Sequence, residues 1–196
     1  MSVDSYIKPI TDRTVIWKTT INNKLQSNAG AIALGDYLIA IDPSPEAYTA
    51  PNFRKDIEEH FKLPVKYLLV THYHGDHTRG VEVFKDTIIL GSKQLYKKMK
   101  NEGKQFLPEI IFQDKLIIKN ADSSVEFYYA GGHTACSTFA YFPDEKVIFL
   151  GQVIRQVILI NGLVSLKKSW MLILIMLFLV TDLYVGKKTF ENSLNC

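Results

Sequence analysis

Thr71-His72-Tyr73-His74-Gly75-Asp76-His77-Thr78-Arg79-Gly80 follows directly on the apolar run Val65-Lys66-Tyr67-Leu68-Leu69-Val70. Four side chains able to bind a metal, His72, His74, Asp76 and His77, thus stand within six positions at the end of a predicted strand. Imidazole nitrogen and carboxylate oxygen are donors that zinc, iron and manganese accept. In extended chain alternate side chains face the same way, so His72, His74 and Asp76 point together. Gly75 permits the sharp turn that brings His77 to the same side or a neighbouring one. The chain has only five histidines, and three share this loop, which favours a metal centre over a solvated polar turn.

His133 extends the argument. It follows Val125-Glu126-Phe127-Tyr128-Tyr129-Ala130 and Gly131-Gly132, so it too sits where a β-branched and aromatic strand gives way to a loop. Ligands gather outside such strand ends. A third imidazole from a separate strand completes a set with His72 and His74 and leaves one tetrahedral position for water, the arrangement of a catalytic site rather than a closed structural one.

On these residues the chain resembles the metallo-β-lactamase superfamily. Thr71 to Gly80 matches its HxHxDH motif, Gly131-Gly132-His133-Thr134 resembles its downstream metal histidine, and Tyr37-Leu38-Ile39-Ala40-Ile41-Asp42-Pro43 resembles its early strand ending in Asp. The resemblance covers about residues 13–151. It implies an α/β (α+β) fold, a four-layer αββα sandwich, in which the second half is truncated or aberrant. It implies a metal-dependent hydrolase acting on a small-molecule substrate, with metal-bound hydroxide attacking a thioester, lactone, β-lactam or phosphoester. The implied metal residues are His72, His74, Asp76, His77 and His133. Asp76 has the added catalytic role of orienting water and moving its proton, and Asp42 orients the motif loop through hydrogen bonds.

The same resemblance fails further on. Where the family carries a bridging Asp, this chain reads Val147-Ile148-Phe149-Leu150-Gly151-Gln152, and no histidine follows His133. A neutral amide brings no charge to share between two dications. His72, His74 and His133 remain a full set for one metal; Asp76 and His77 alone hold a second too weakly. The expectation is one firmly bound zinc ion, with iron or manganese as other occupants. His60 lies on an early helix, Asp144 in a hairpin turn, and Cys136 in a predicted strand, so none is taken as a ligand. Iron-dependent redox relatives are disfavoured, because the flavodiiron pattern has an acidic residue where Gly75 stands and persulfide dioxygenases need the missing Asp.

The composition shifts where the motif breaks. Of twenty acidic residues only Asp182 and Glu191 follow Glu145, and Trp170 to Val180 is an unbroken apolar run of eleven. That run is too short to span a membrane, which takes about twenty residues. A buried core element and a reading frame that slips near Gln152, recovering near 181–186, are the other readings of 152–196. The second leads to the alternative function: a catalytically inactive, frameshifted or truncated remnant that binds at most one metal.

Length and composition suit one domain over 1–196, with 47% hydrophobic residues and no Pro-rich or Gly/Ser-rich linker. Two cysteines, Cys136 and Cys196, make no disulfide framework, and no charged-then-apolar leader opens the chain, so a cytoplasmic location is expected. The net charge is +3, and the lysines at 93, 97, 98, 100 and 104 are read as a solvated helix face, with no nucleic-acid partner and no membrane span. Oligomeric state is left open. Strands are predicted at 13–19, 28–34, 37–41, 65–70, 87–90, 115–118, 124–130, 136–142 and 146–150. Helices are predicted at 52–61, 78–84 and 92–101.

Overall fold

Alternation and continuous burial build the two central strands. Along β4 (Ala29–Leu34) and β5 (Tyr37–Ile41) every residue is buried, with Ile32, Leu34, Tyr37, Ile39 and Ile41 in one core and Ala31, Ala33, Leu38 and Ala40 in another. A strand covered on both faces belongs to a layered sandwich. The computed structural model describes residues 2–151 and the backbone of residues 157–159.

The first sheet comprises β1 (Val3–Pro9), β2 (Thr14–Ile21), β3 (Lys24–Leu25), β4, β5, β6 (Val65–Leu69), β7 (Ile88–Ser92) and β8 (Ile110–Phe112). Its order is β1-β2-β4-β5-β6-β7-β8, with β3 beside β2. Pairing is antiparallel from β1 to β5 and parallel from β5 to β8. Parallel neighbours need a long crossover. Helix α1 (Ala50–Phe61) supplies one between β5 and β6, and α2 (Lys93–Asn101) supplies one between β7 and β8. The second sheet is an antiparallel meander of β9 (Lys115–Asn120), β10 (Ser123–Tyr129), β11 (Thr138–Phe142), β12 (Val147–Phe149) and β13 (Val157–Leu159).

One core lies between the first sheet and its helices, where Trp17, Phe53, Ile57, Leu68, Phe84, Leu95 and Met99 meet. The other lies between the sheets, where Ile32, Leu34, Ile39, Leu90, Phe127, Phe142 and Phe149 meet. The sheets approach closely at Gly30, where an added Cβ would collide with the Phe149 ring. The described residues thus form three layers, helices, sheet and sheet, of the expected αββα sandwich. Apart from the backbone of 157–159, the aberrant tail predicted from residue 152 onward lies outside the described residues. Among the described residues no helix is long and apolar enough to cross a membrane.

Several element boundaries differ from the sequence reading. The helix predicted at 78–84 reduces to one 3-10 turn, Val81–Phe84, and a second 3-10 turn, Gly75–His77, precedes it. Between them the Gly80 backbone is pressed against Ala50 and the Pro43 carbonyl, where a Cβ would come within 2.6 Å of both. Continuous helix geometry gives way there to close packing. Strand β1 was not predicted, because most of its residues are exposed and carry no apolar alternation; pairing with β2 from Val3↔Ile21 to Pro9↔Val15 makes it a strand. The predicted strand 136–142 starts at Thr138, since Cys136 and Ser137 are taken up in a turn closed by Ser137 N–H donating to the Thr134 carbonyl.

Candidate metal centre

The loop after β6 is held by the strand beside it. At the end of β5, Asp42 adopts φ +57°, and its N–H donates to the Leu69 carbonyl at 2.8 Å. Its side chain is only 3% exposed. Such burial is costly unless both oxygens find donors. Asp42 Oδ1 accepts the Thr71 N–H at 2.8 Å, and Oδ2 accepts the Thr71 hydroxyl at 2.9 Å and His77 Nδ1 at 2.6 Å. The sequence reading gave Asp42 the task of orienting the motif loop, and these contacts anchor both ends of its first turn.

His133 arrives from the second sheet. Gly131 and Gly132 take φ +66° and +95°, conformations that L side chains rarely adopt, so the chain can turn sharply out of β10. The turn is closed by the Ala130 and Gly131 N–H groups, which both donate to the Ser137 carbonyl at 3.0 Å, and by Thr134 N–H donating to Ser137 Oγ at 3.0 Å. The Ser92 hydroxyl at the start of α2 donates to the Cys136 carbonyl at 3.0 Å, tying this loop to the first sheet.

Three imidazoles converge as a result. His72, His74 and His133 each offer a ring nitrogen, and these nitrogens lie within 4.8 Å of one another. The ring centroids of His72–His74, His72–His133 and His74–His133 are 4.8, 5.0 and 4.8 Å apart, all edge-on. His133 Nε2 is 3.1 Å from His74 Nδ1. Nitrogens at about 2.0–2.1 Å from a tetrahedral dication sit roughly 3.3 Å from one another, so this donor set fits a zinc-like ion. His72 is buried, His74 half-buried and His133 exposed, leaving the group open on one side.

Asp76 and His77 stand beside the triad and face each other, His77 Nε2 lying 3.3 Å from Asp76 Oδ2. The His77 ring centroid is 4.2 Å from that of His72. His77 is buried, which opposes its charge, but attraction and hydrogen bonding from Asp42, reinforced by Asp76, raise its pKa to about 10. The His77 ring in turn holds the Asp76 carboxyl well below the usual carboxylate range. Of the five predicted metal residues, three form one group and two form a neighbouring pair. Gln152 falls outside the described residues.

Of the residues set aside in the sequence, His60 and Asp144 engage other partners, and Cys136 belongs to the His133 loop without being one of the three converging residues. The His60 ring packs edge-on against Phe61 at 4.7 Å, Asp144 pairs with Arg13 and Ser123, and Cys136 is buried with its thiol 3.3 Å from Thr134 Oγ1. Lys98 forms an ion pair with Glu102 at 2.9 Å and lies over the Tyr73 ring. Thr71, Ser92 and Thr138 were not singled out, because their roles are hydrogen bonds between distant elements. Thr71's place immediately before the motif is the one sequence signal they carried.

Comparison with known proteins bears on the family and the fold. A sequence model of the metallo-beta-lactamase superfamily matches residues 22–185. The chain is 28% identical over 134 residues to a hydroxyacylglutathione hydrolase of Francisella tularensis subsp. novicida, covering 68% of this chain and 50% of that protein. It is also 28% identical over 157 residues to a metallo-beta-lactamase type 2 of Elizabethkingia meningoseptica, covering 76% of this chain and 62% of the relative. The chain therefore spans about half to three-fifths of these relatives' lengths. Among solved structures, a metallo-beta-lactamase from Pontibacter korlensis superposes with a TM-score of 0.67 at 21% identity, over 75% of this chain and 71% of that one.

Proposed function

Because the chain belongs to the metallo-β-lactamase superfamily, we propose that it is a hydrolase of small molecules working around one dication held by His72, His74 and His133. The observation that carries the reading is the meeting of three imidazoles from two different sheets, open on the side of His133. Zinc is the proposed occupant; iron and manganese also accept imidazole. When bound, such an ion supplies Lewis acidity and brings the deprotonation of water into the neutral range.

The chain's own groups divide the remaining work. On this reading Asp76, half-exposed and ionised at neutral pH, orients water beside the triad and takes up its proton. His77 and Asp42 keep that carboxylate and the loop in place. The open side at His133 admits a substrate carbonyl or phosphoryl group. Thioesters, lactones, β-lactams and phosphoesters are the classes to be tried, and the relatives' names put a hydroxyacylglutathione and a β-lactam first. A free, buried Cys136 suits a reducing cytoplasmic setting.

A second reading has its own observation behind it. Where the family pattern carries a bridging Asp the sequence has Gln152, so among the described residues a second dication would rest on Asp76 and His77 alone. On that reading the chain holds at most one metal and turns over no substrate. Elemental analysis of monodisperse full-length protein beside His133→Ala, followed by hydrolysis assays over the four substrate classes, separates the two. One metal per chain, lost in His133→Ala, together with turnover supports the hydrolase. One metal without turnover supports the inactive form, and a wild type without metal removes the three-histidine site.

A further inference from the structure

We propose that Thr71 is a positioning residue that fixes the tautomer of His72, and so selects the nitrogen His72 presents to the three-histidine site. The inference rests on the site proposed above and adds the group that orders it. The Thr71 hydroxyl has one proton and two partners, Asp42 Oδ2 at 2.9 Å and His72 Nδ1 at 3.0 Å. The Asp42 carboxylate takes donors on both oxygens and has nothing to give, so the Thr71 proton goes to Asp42. A lone pair of Thr71 Oγ1 then remains for the other contact, and His72 must supply the proton from Nδ1. Nε2 is thereby left as the lone-pair nitrogen of His72. The same Asp42 oxygen accepts His77 Nδ1 directly, so one buried carboxylate orders two histidines, one by contact and one through Thr71.

The Thr71 side chain has little room to do anything else. Its backbone N–H is bound to Asp42 Oδ1, and its carbonyl accepts both the Thr138 N–H at 3.0 Å and the Thr138 hydroxyl at 3.1 Å. Gly151, at φ +62°, lies so close that an added Cβ would stand 3.0 Å from Thr71 Oγ1 and 3.1 Å from its Cβ. Thr71 is therefore clamped between β5, the start of β11 and the chain leaving β12. That position gives it a role in metal retention which the metal ligands themselves do not reveal. Groups that accept the second ring N–H of a ligating histidine and so orient it contribute typically 10–100-fold in metal affinity.

The test compares full-length wild type, Thr71→Ser and Thr71→Val. Long-range proton–nitrogen correlation on histidine-labelled, metal-stripped protein at about pH 8, where free imidazole is neutral, reads the tautomer. Chelator competition reads zinc affinity, and circular dichroism monitors folding. Wild type and Thr71→Ser should show His72 protonated at Nδ1 and bind zinc alike. Thr71→Val should lose that single tautomer and bind zinc about 10–100-fold more weakly while remaining folded. A wild-type His72 protonated at Nε2, or a folded Thr71→Val with unchanged affinity and tautomer, overturns the proposal. If Thr71→Val does not fold, the wild-type tautomer decides alone. If wild type shows the Nδ1 proton but binds no zinc, the tautomer assignment stands and the three-histidine site falls.

Discussion

The Asp42–His77 contact concentrates much of the site's chemistry in two side chains. The pair is almost fully buried, and removing one member of such a pair leaves the other uncompensated. Asp42→Asn is expected to destabilise the metal-stripped protein by roughly 3–5 kcal/mol, measured by urea unfolding against wild type. Its pH dependence has a definite sign. The folded-state pKa of His77, about 10, lies above its ordinary 6.5, so the contribution is full below about pH 6.5 and fades as pH rises toward 10. The stability gap between wild type and Asp42→Asn should therefore shrink from neutral to alkaline pH; a gap that widens contradicts the assignment. Cys136 gives a second prediction at this scale. Burial pushes its thiol up, with Thr134 only partly offsetting, so in native protein it should resist alkylation near neutral pH. Peptide mapping should find it modified only after unfolding.

Helix α2 shows how an element serves the site without touching it. Ser92 accepts the Leu95 N–H at its N-terminus and donates its hydroxyl to the Cys136 carbonyl, so one side chain both caps the helix and holds the His133 loop. Ser92→Ala should cost about 1 kcal/mol from the lost cap and also weaken zinc binding; unchanged affinity would mean the loop holds its shape alone. Helix α2 and strands β4, β5 and β6 were legible because their apolar patterns are strong. Short β8 and exposed β1 were not, since pairing with neighbours, rather than their own residues, makes them strands. The paired 3-10 turns had the same origin: the contact between Gly80 and Pro43 joins positions far apart in sequence and overrides local helix preference.

The two cores and the site depend on each other across the whole molecule. Phe127 and Phe142 fill the space between the sheets that deliver the His72–His77 loop and His133, so Phe127→Ala should cost about 3–5 kcal/mol by calorimetry or urea unfolding. Zinc at about a hundred times its dissociation constant should stabilise wild type by roughly 2.7 kcal/mol and leave His133→Ala nearly unmoved, which thermal unfolding can check. The sequence by itself determined the family, the identity of the three imidazoles and the departure at Gln152, because residue types and their spacing in a strand-end loop are local properties. The tertiary structure alone decided that Asp76 and His77 pair beside the triad, that Asp42 holds the loop at two points, and that Thr71 and Ser92 join strands and a helix to the site. Asp76 and His77 are sequence neighbours whose facing is set by the Asp42 contact to His77, and the other outcomes rest likewise on hydrogen bonds between residues from 29 to 67 positions apart, which exist only once the strands have packed.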